Sequence, residues 1–314
     1  MKNRISMSIM FFISLFFIGI LFPLQSAYAA IATPPNFKVA FIGDSGAGSN
    51  QQAVLNLIKG ENVNFVLHEG DFSYSDTSTN TWIGNINNIL GTNFPYLGSD
   101  GNHDNWSLYE PFFENRLGIM GLDSNLNGSN YIREYNGLKM VFTQEGGNPS
   151  LIDTAFTGDD HIWKICNWHK NMNAMQIGGK TDEQGWPDYE NCFKYGAIVA
   201  TGHEHSYERT KTMTDVRNQI VDPSCSDRNN LCVSPGRSFV FVSGLGGVGI
   251  RDQNRCLPTT YPYGCKGEWA SIYASDQSAT YGALFITFHV DGNPNKARGY
   301  FKNINGEIID QFEF

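Results

Sequence analysis

The sequence predicts an α/β fold in which strands from both halves of the chain meet in one core. Three observations carry this reading. Short apolar strands alternate with helix-patterned segments over the first two thirds of the chain. The last third becomes strand-rich, with Gly, Asn and Asp turns between strands. Hydrophobic residues make up 41% of the 314 positions, enough for a sizeable core and too many for a disordered chain. The 33 glycines follow no strict period, which excludes a collagen-like chain and points to sharp loops.

The elements follow in order. Lys2 and Arg4 precede a nearly continuous apolar run from Ile9 to Leu24, and Ala27-Tyr28-Ala29 supplies a small-residue cleavage pattern. This predicts a secretory signal peptide over 1–29, with a retained membrane anchor as the alternative. Residues 30–314 are then expected to form a single domain, without a membrane span, in a secreted or extracytoplasmic location. Phe37–Ile42 is an apolar strand ending in Gly43-Asp44. Ala53, Val54, Leu57 and Ile58 fall on one helical face. Val63–Leu67 is a second strand, ending near Gly70-Asp71. Trp82–Leu90 reads as a helix with Ile83, Ile86, Ile89 and Leu90 inward. Phe94–Leu97 leads into Gly98-Ser99-Asp100-Gly101-Asn102-His103, and 107–117 reads as helix. Residues 138–142, 162–166 and 197–200 are further strands, as are Ser238–Val242, Ala283–Val290, Gly299–Phe301 and Ile308–Phe314. His289 is read as an ordinary sheet residue, and His68 and His161 as structural.

Six cysteines, Cys166, Cys192, Cys225, Cys232, Cys256 and Cys265, all lie beyond the leader. An even number in an exported chain predicts disulfides. The pairing is open from sequence, but loop closure favours Cys225 with Cys232 and Cys256 with Cys265, leaving Cys166 with Cys192. No pair has the tight spacing of a structural zinc site. Residues 215–236 and 251–267 therefore read as pinned loops.

The informative polar residues follow strands. Asp44, Asp71, Asn102-His103, His169, and His203 with His205 all sit in turns after predicted strands. Taken singly, each has a plain reading as a turn former, a helix cap or a satisfied histidine. Beyond the carboxyl ends of parallel strands such groups converge. Together they form a set of carboxylates, an amide and imidazoles, which suits first-row ions such as zinc, iron or manganese. A carboxylate that bridges two such ions equips a site for phosphoryl transfer.

The motifs Gly43-Asp44-Ser45-Gly46, Gly70-Asp71-Phe72-Ser73-Tyr74, Gly101-Asn102-His103-Asp104, His169 and Gly202-His203-Glu204-His205 resemble the five blocks of calcineurin-like metallophosphoesterases. Two details resemble the purple acid phosphatase branch: Gly46 stands where most of the family has a histidine, and Tyr74 stands where that branch places a tyrosinate ligand to ferric iron. The resemblance implies a four-layer αββα sandwich of two mixed β-sheets flanked by helices. It also implies two metal ions, Fe³⁺ with Fe²⁺, Zn²⁺ or Mn²⁺. Asp44, Tyr74 and His205 would hold the first ion, Asn102, His169 and His203 the second, and Asp71 would bridge them. The implied reaction is hydrolysis of a small phosphate monoester by in-line attack of a metal-bound hydroxide. His103 would act on the transferring group or the leaving oxygen, with Asp104 orienting His103. Phosphodiester cleavage on the same site, and an exported non-catalytic binding or adhesion module, are the competing readings.

The remaining features are read more plainly. Lys170 and Lys180 are taken as solvated surface lysines, and Arg209 as a brace for the last block. The glycine run 244–249 is read as a tight loop near the rim, not a dinucleotide fingerprint. A net charge of -9 argues against a stable nucleic-acid partner. Sequence gives no oligomeric state.

Overall fold

The structure, a computed structural model, describes residues 34–314. The expected leader lies outside the described residues. In the first half of the chain, strands and helices alternate: β1 (Phe37–Ile42), α1 (Ser49–Gly60), β2 (Phe65–His68), α2 (Thr79–Ile89), β3 (Tyr96–Gly98), α3 (Trp106–Ile119), β4 (Tyr131–Tyr135), β5 (Leu138–Phe142), α4 (Pro149–Phe156) and β6 (Trp163–Trp168). There follow α5 (Trp186–Lys194), β7 (Ile198–Thr201), β8 (Tyr207–Thr210), β9 (Met213–Asp215), β10 (Ile220–Val221), β11 (Val240–Ser243), β12 (Trp269–Tyr273), β13 (Gly282–Phe288), β14 (Ala297–Asn303) and β15 (Ile308–Glu313).

These strands build two mixed sheets. One runs β15-β14-β13-β1-β2-β3 and the other β12-β8-β11-β7-β6-β5-β4, with β9 and β10 as a separate pair. In the first sheet β1, β2 and β3 are parallel, while β13, β14 and β15 add antiparallel strands from the far end of the chain. In the second, β5, β6, β7 and β11 are parallel and the outer strands antiparallel. The sheets pack through aromatic rings: Phe41 meets Phe241 at 5.1 Å and Trp163 meets Phe288 at 5.4 Å between ring centroids. Helices flank the sandwich. On one side Trp82 of α2 packs on Tyr96 of β3 and Phe112 of α3. On the other, Ile152 and Phe156 of α4 and Tyr189 and Phe193 of α5 share a buried cluster with Val141, Trp168 and Val199. The fold is thus the α/β sandwich of mixed sheets expected for the calcineurin-like phosphoesterases.

All three disulfides pair as loop closure favours. Cys166–Cys192 ties β6 to α5, and Cys225–Cys232 and Cys256–Cys265 close short loops. Some elements carry too little pattern to be read from sequence. Helix α4 has only 8 residues and owes its start to Asn148, whose side chain accepts the Leu151 N–H, and to Pro149 in the first turn. Strand β8 is fully buried yet holds Glu208, Arg209 and Thr210, so it shows no apolar alternation. His289 does not lie in a strand: it follows β13 with a left-handed φ of 55°.

Arg209 explains the polarity of β8. Its guanidinium grips Asp310 on β15 with two hydrogen bonds, 2.7 and 3.0 Å, joining the penultimate strand of one sheet to an edge strand of the other. The Tyr207 hydroxyl donates to the same carboxylate at 2.7 Å, and the guanidinium lies over the Phe312 ring. Removing one partner of such a buried pair leaves a bare charge. Arg209→Met is therefore expected to cost about 3–5 kcal/mol in urea unfolding, and Arg209→Met with Asp310→Leu much less. A single-variant loss under about 1 kcal/mol would show that the pair holds nothing together.

Candidate metal centre

The parallel strands deliver their trailing turns to one edge of the sandwich. Asp44 follows β1, Asp71 and Tyr74 follow β2, Asn102 and His103 follow β3, His169 follows β6, and His203 and His205 follow β7. Four of these residues, Asp44, Asp71, Tyr74 and His203, have positive φ of 57°, 57°, 61° and 70°. Non-glycine residues rarely hold this conformation, and it persists where surrounding structure enforces it. Here the turns pack directly on each other. A Cβ at Gly101 would come within 2.2 Å of Asp71 Oδ1, so only glycine fits.

One group of side chains centres on Asp44, which is fully buried. The Tyr74 hydroxyl donates to Asp44 Oδ1 at 2.9 Å and lies 3.0 Å from His205 Nε2, and His205 Nε2 is 3.2 Å from Asp44 Oδ1. Asp44 Oδ2 accepts the His203 backbone N–H at 2.8 Å. Gly46 accounts for the missing histidine of the first block. It has a φ of 61°, and a Cβ there would strike Val248 at 2.5 Å, so a histidine has no room, while the Tyr74 hydroxyl reaches Asp44.

A second group joins Asp71, His169 and His203, whose donor atoms lie within 4.8 Å of one another. His169 Nε2 is 3.3 Å from Asp71 Oδ2 and 3.1 Å from His203 Nδ1. The outer nitrogens decide the chemistry. His169 Nδ1 meets the Glu69 carbonyl at 2.6 Å, which can only accept, so Nδ1 carries the proton. His203 Nε2 meets the Glu183 carboxylate at 2.8 Å and is protonated for the same reason. The inner nitrogens, His169 Nε2 and His203 Nδ1, then face each other beside a carboxylate oxygen, where they can share one proton or both turn their lone pairs to a bound cation. This is the donor set of a cation site, with outer partners of the kind that orient metal-ligating histidines.

The electrostatics agree. Burial would lower His169, but Asp71 outweighs it and lifts the imidazole to about 9. Burial and the charged His169 together drive His203 well down. Asp71 stays well below the usual carboxylate range despite its burial, held there by His169 and the His103 backbone N–H. The pair thus asks for one positive charge it cannot supply twice over. Burial and the Asp44 and Asp71 carboxylates push the Tyr74 phenol far up, so a phenolate there requires a cation.

Asn102 and His103 open on a cleft of about 400 Å³ that Asp71, Lys180, Glu183, His203 and Arg251 also line. The His103 ring stacks on Tyr74 with centroids 4.8 Å apart. Asp104 does not hold the His103 ring directly, which corrects the expectation: it acts on His103 only through the backbone. Its carboxylate accepts three backbone N–H groups, from Asp71 (2.8 Å), Gly101 (2.8 Å) and Phe72 (2.9 Å), and so locks the second and third turns together. A short carboxylate directed at the backbone of these two turns has no reach left for the ring. Lys180 is half-buried on the cleft wall, and Lys170 pairs with Glu145 and Glu183, so neither is a solvated lysine. The glycine run 244–249 packs against the first turn, with Gly246 N–H donating to Gly43 and Val248 N–H to Asp44, and its far end is exposed. His68 is structural, buried against Ser45 Oγ at 2.9 Å. His161 belongs with Asp159 and Glu134 to a cluster that Lys139 and Lys164 already neutralise. Sequence reasoning missed Glu183 and Arg251, which lie in irregular segments with no periodicity to mark them.

The profile of the calcineurin-like phosphoesterase family matches residues 37–207. Among solved structures, a purple acid phosphatase from yellow lupin (Lupinus luteus) seeds matches with a TM-score of 0.64 and 15% identity, over 90% of this chain and 55% of that one. The chain thus spans about half the length of the lupin enzyme. The structure of PhoD matches with a TM-score of 0.49 and 10% identity, over 90% of this chain and 73% of that one. At such identities the lupin likeness speaks for the fold alone. No curated protein matches the sequence.

The Glu183 contact generates a test. Glu183→Gln, which weakens the hold on His203 Nε2, is expected to reduce metal affinity by about 10- to 100-fold in chelator competition. Unchanged affinity would show that Glu183 does not orient the ring.

Proposed function

Because the chain belongs to the calcineurin-like phosphoesterase family, we propose that it is a secreted dinuclear-metal phosphatase acting on small phosphate monoesters. The convergence of two donor groups at one cleft, Asp44–Tyr74–His205 and Asp71–His169–His203, carries this reading. Asp44, Tyr74 and His205 are the proposed ligands of one ion, and His169, His203 and Asn102 of the other, with Asp71 between them. The purple acid phosphatase pattern of the motifs, with a tyrosine in the first group, favours ferric iron there and Fe²⁺, Zn²⁺ or Mn²⁺ in the second. Bound ions of this kind supply Lewis acidity toward phosphoryl oxygens and activate water at neutral pH.

The chain's own residues do the rest. His103 stands in the cleft, its face fixed by the Tyr74 ring and its backbone N–H bound to Asp71 Oδ1 at 3.0 Å. From there an imidazole N–H can hold a phosphoryl oxygen or pass its proton to the leaving oxygen. Asp104 acts as a positioning residue, since it fixes the turn that presents His103. Among the described residues no helix is long and apolar enough to cross a membrane. A phosphate approaches a wall that also carries Lys180 and Arg251.

Two measurements test this reading. The metal-loaded protein is expected to hydrolyse p-nitrophenyl phosphate in preference to bis-p-nitrophenyl phosphate, to lose activity on chelation, and to fall by about 10²–10⁴-fold in kcat on His103→Ala. A clear preference for the diester would make it a phosphodiesterase, and inactivity on a broad phosphoester panel would favour a binding module. Ferric-loaded protein is also expected to show a visible tyrosinate-to-iron band that Tyr74→Phe abolishes. A band that survives the substitution removes Tyr74 from the ligand set.

A further inference from the structure

Beyond the proposed ligands, two cations line the cleft on backbone that is tied down. Arg255 Nη1 donates to the carbonyls of Asn173 and Gln176, each at 2.6 Å. The backbone N–H groups of Asn254 and Arg255 both donate to the Ile177 carbonyl, at 2.9 and 3.0 Å. The side-chain amides of Asn173 and Gln176 donate to the Lys180 carbonyl. Arg251 N–H donates to the His205 carbonyl at 3.0 Å, and Cys256–Cys265 closes the loop just beyond. Lys180 and Arg251 therefore stand on a fixed frame.

Their side chains are undercompensated. Lys180 Nζ and Arg251 Nη1 both donate to one neutral acceptor, the His203 carbonyl, the latter at 3.2 Å. Two like charges drawn to one carbonyl repel each other unless an anion lies near. The nearby carboxylates offset them only in part. Glu183 is engaged by His203 Nε2 at 2.8 Å and by Lys170 at 3.4 Å. Glu204 reaches Arg251 only at 3.5 Å. A lysine and an arginine between them offer more N–H donors than a single carbonyl uses, in a geometry suited to phosphate.

Building on the phosphoesterase reading, we propose that Lys180 and Arg251 form an anion subsite for a second phosphate on the leaving group, so that the cleft selects substrates of the nucleoside diphosphate kind over simple monoesters. In ADP the bond between the terminal phosphorus and the bridging oxygen breaks. Water supplies the new oxygen on the released phosphate, and the α-phosphate leaves with the bridging oxygen and its electron pair, held by Lys180 and Arg251.

The test compares full-length, metal-loaded wild type with Lys180→Met, Arg251→Leu and, as a control outside the cleft, Lys194→Met. Metal content and thermal melts verify each protein. The preference in kcat/KM for ADP over phenyl phosphate is expected to fall about tenfold or more in each cleft variant, through KM, as for loss of a charge-assisted hydrogen bond. Affinity for the non-hydrolysable α,β-methylene ADP, measured by titration calorimetry, should weaken in parallel, and Lys194→Met should change neither. Equal losses on both substrates would reduce the two residues to braces for His203 and overturn the subsite, as would an unchanged preference. If wild type turns over neither substrate, the esterase reading fails by itself. Binding of the analogue that depends on Lys180 would still support the subsite, and binding indifferent to Lys180 would overturn it.

Discussion

Two imidazole nitrogens facing each other at 3.1 Å beside a largely buried carboxylate need a positive charge between them. A proton on His169, which Asp71 favours, serves that ring alone, and together with burial it drives His203 well down. A divalent or trivalent ion serves both rings. The hydrogen bonds around the rings take their meaning from this constraint. The Glu69 carbonyl and the Glu183 carboxylate each hold an outer N–H, and so aim the inner lone pairs at the shared space.

The fold supplies the precision such a site needs. Turns from β1, β2, β3, β6 and β7 must approach closely enough for backbone to touch backbone, which is why glycine precedes the motifs after β1, β2, β3 and β7 and why four functional residues hold positive φ. Asp104 shows the division of labour. It resembles a catalytic carboxylate in sequence, yet it spends its acceptors on three backbone N–H groups and fixes the geometry of its neighbours. Farther out, Arg209 and Asp310 bind the two sheets whose strand ends carry the site. The rigidity of the frame and the placement of the ligands are one arrangement.

Much of this arrangement is legible in the sequence. The apolar runs before Asp44 and Asp71, and the alternation of strand and helix up to α3, rest on local periodicity, and their positions hold within a few residues. The cysteine pairing follows from short loops. The convergence of Asp44, Tyr74, Asp71, His169, His203 and His205 was legible as chemistry, because so many donors trail strands. Other features depend on long-range contact. Glu183 meets His203 across 20 residues of irregular chain, and Arg251 meets the His203 carbonyl across 48. Lys180 looks like any lysine in a polar loop until Arg255 and the disulfide loop fold that segment against the cleft. Strand β8 hid because its inward residues are charged and satisfied by β15 rather than apolar.

The central claim is that the two donor groups hold metal ions side by side. Crystals of the purified protein, measured on both sides of the iron, zinc and manganese absorption edges, test it most directly. The account predicts two anomalous peaks, one among Asp44, Tyr74 and His205 and one among Asn102, His169 and His203, with Asp71 reaching both. A metal-replete crystal with density only at the cluster of Glu134, Asp159 and His161, or with both histidine groups bare, would contradict it.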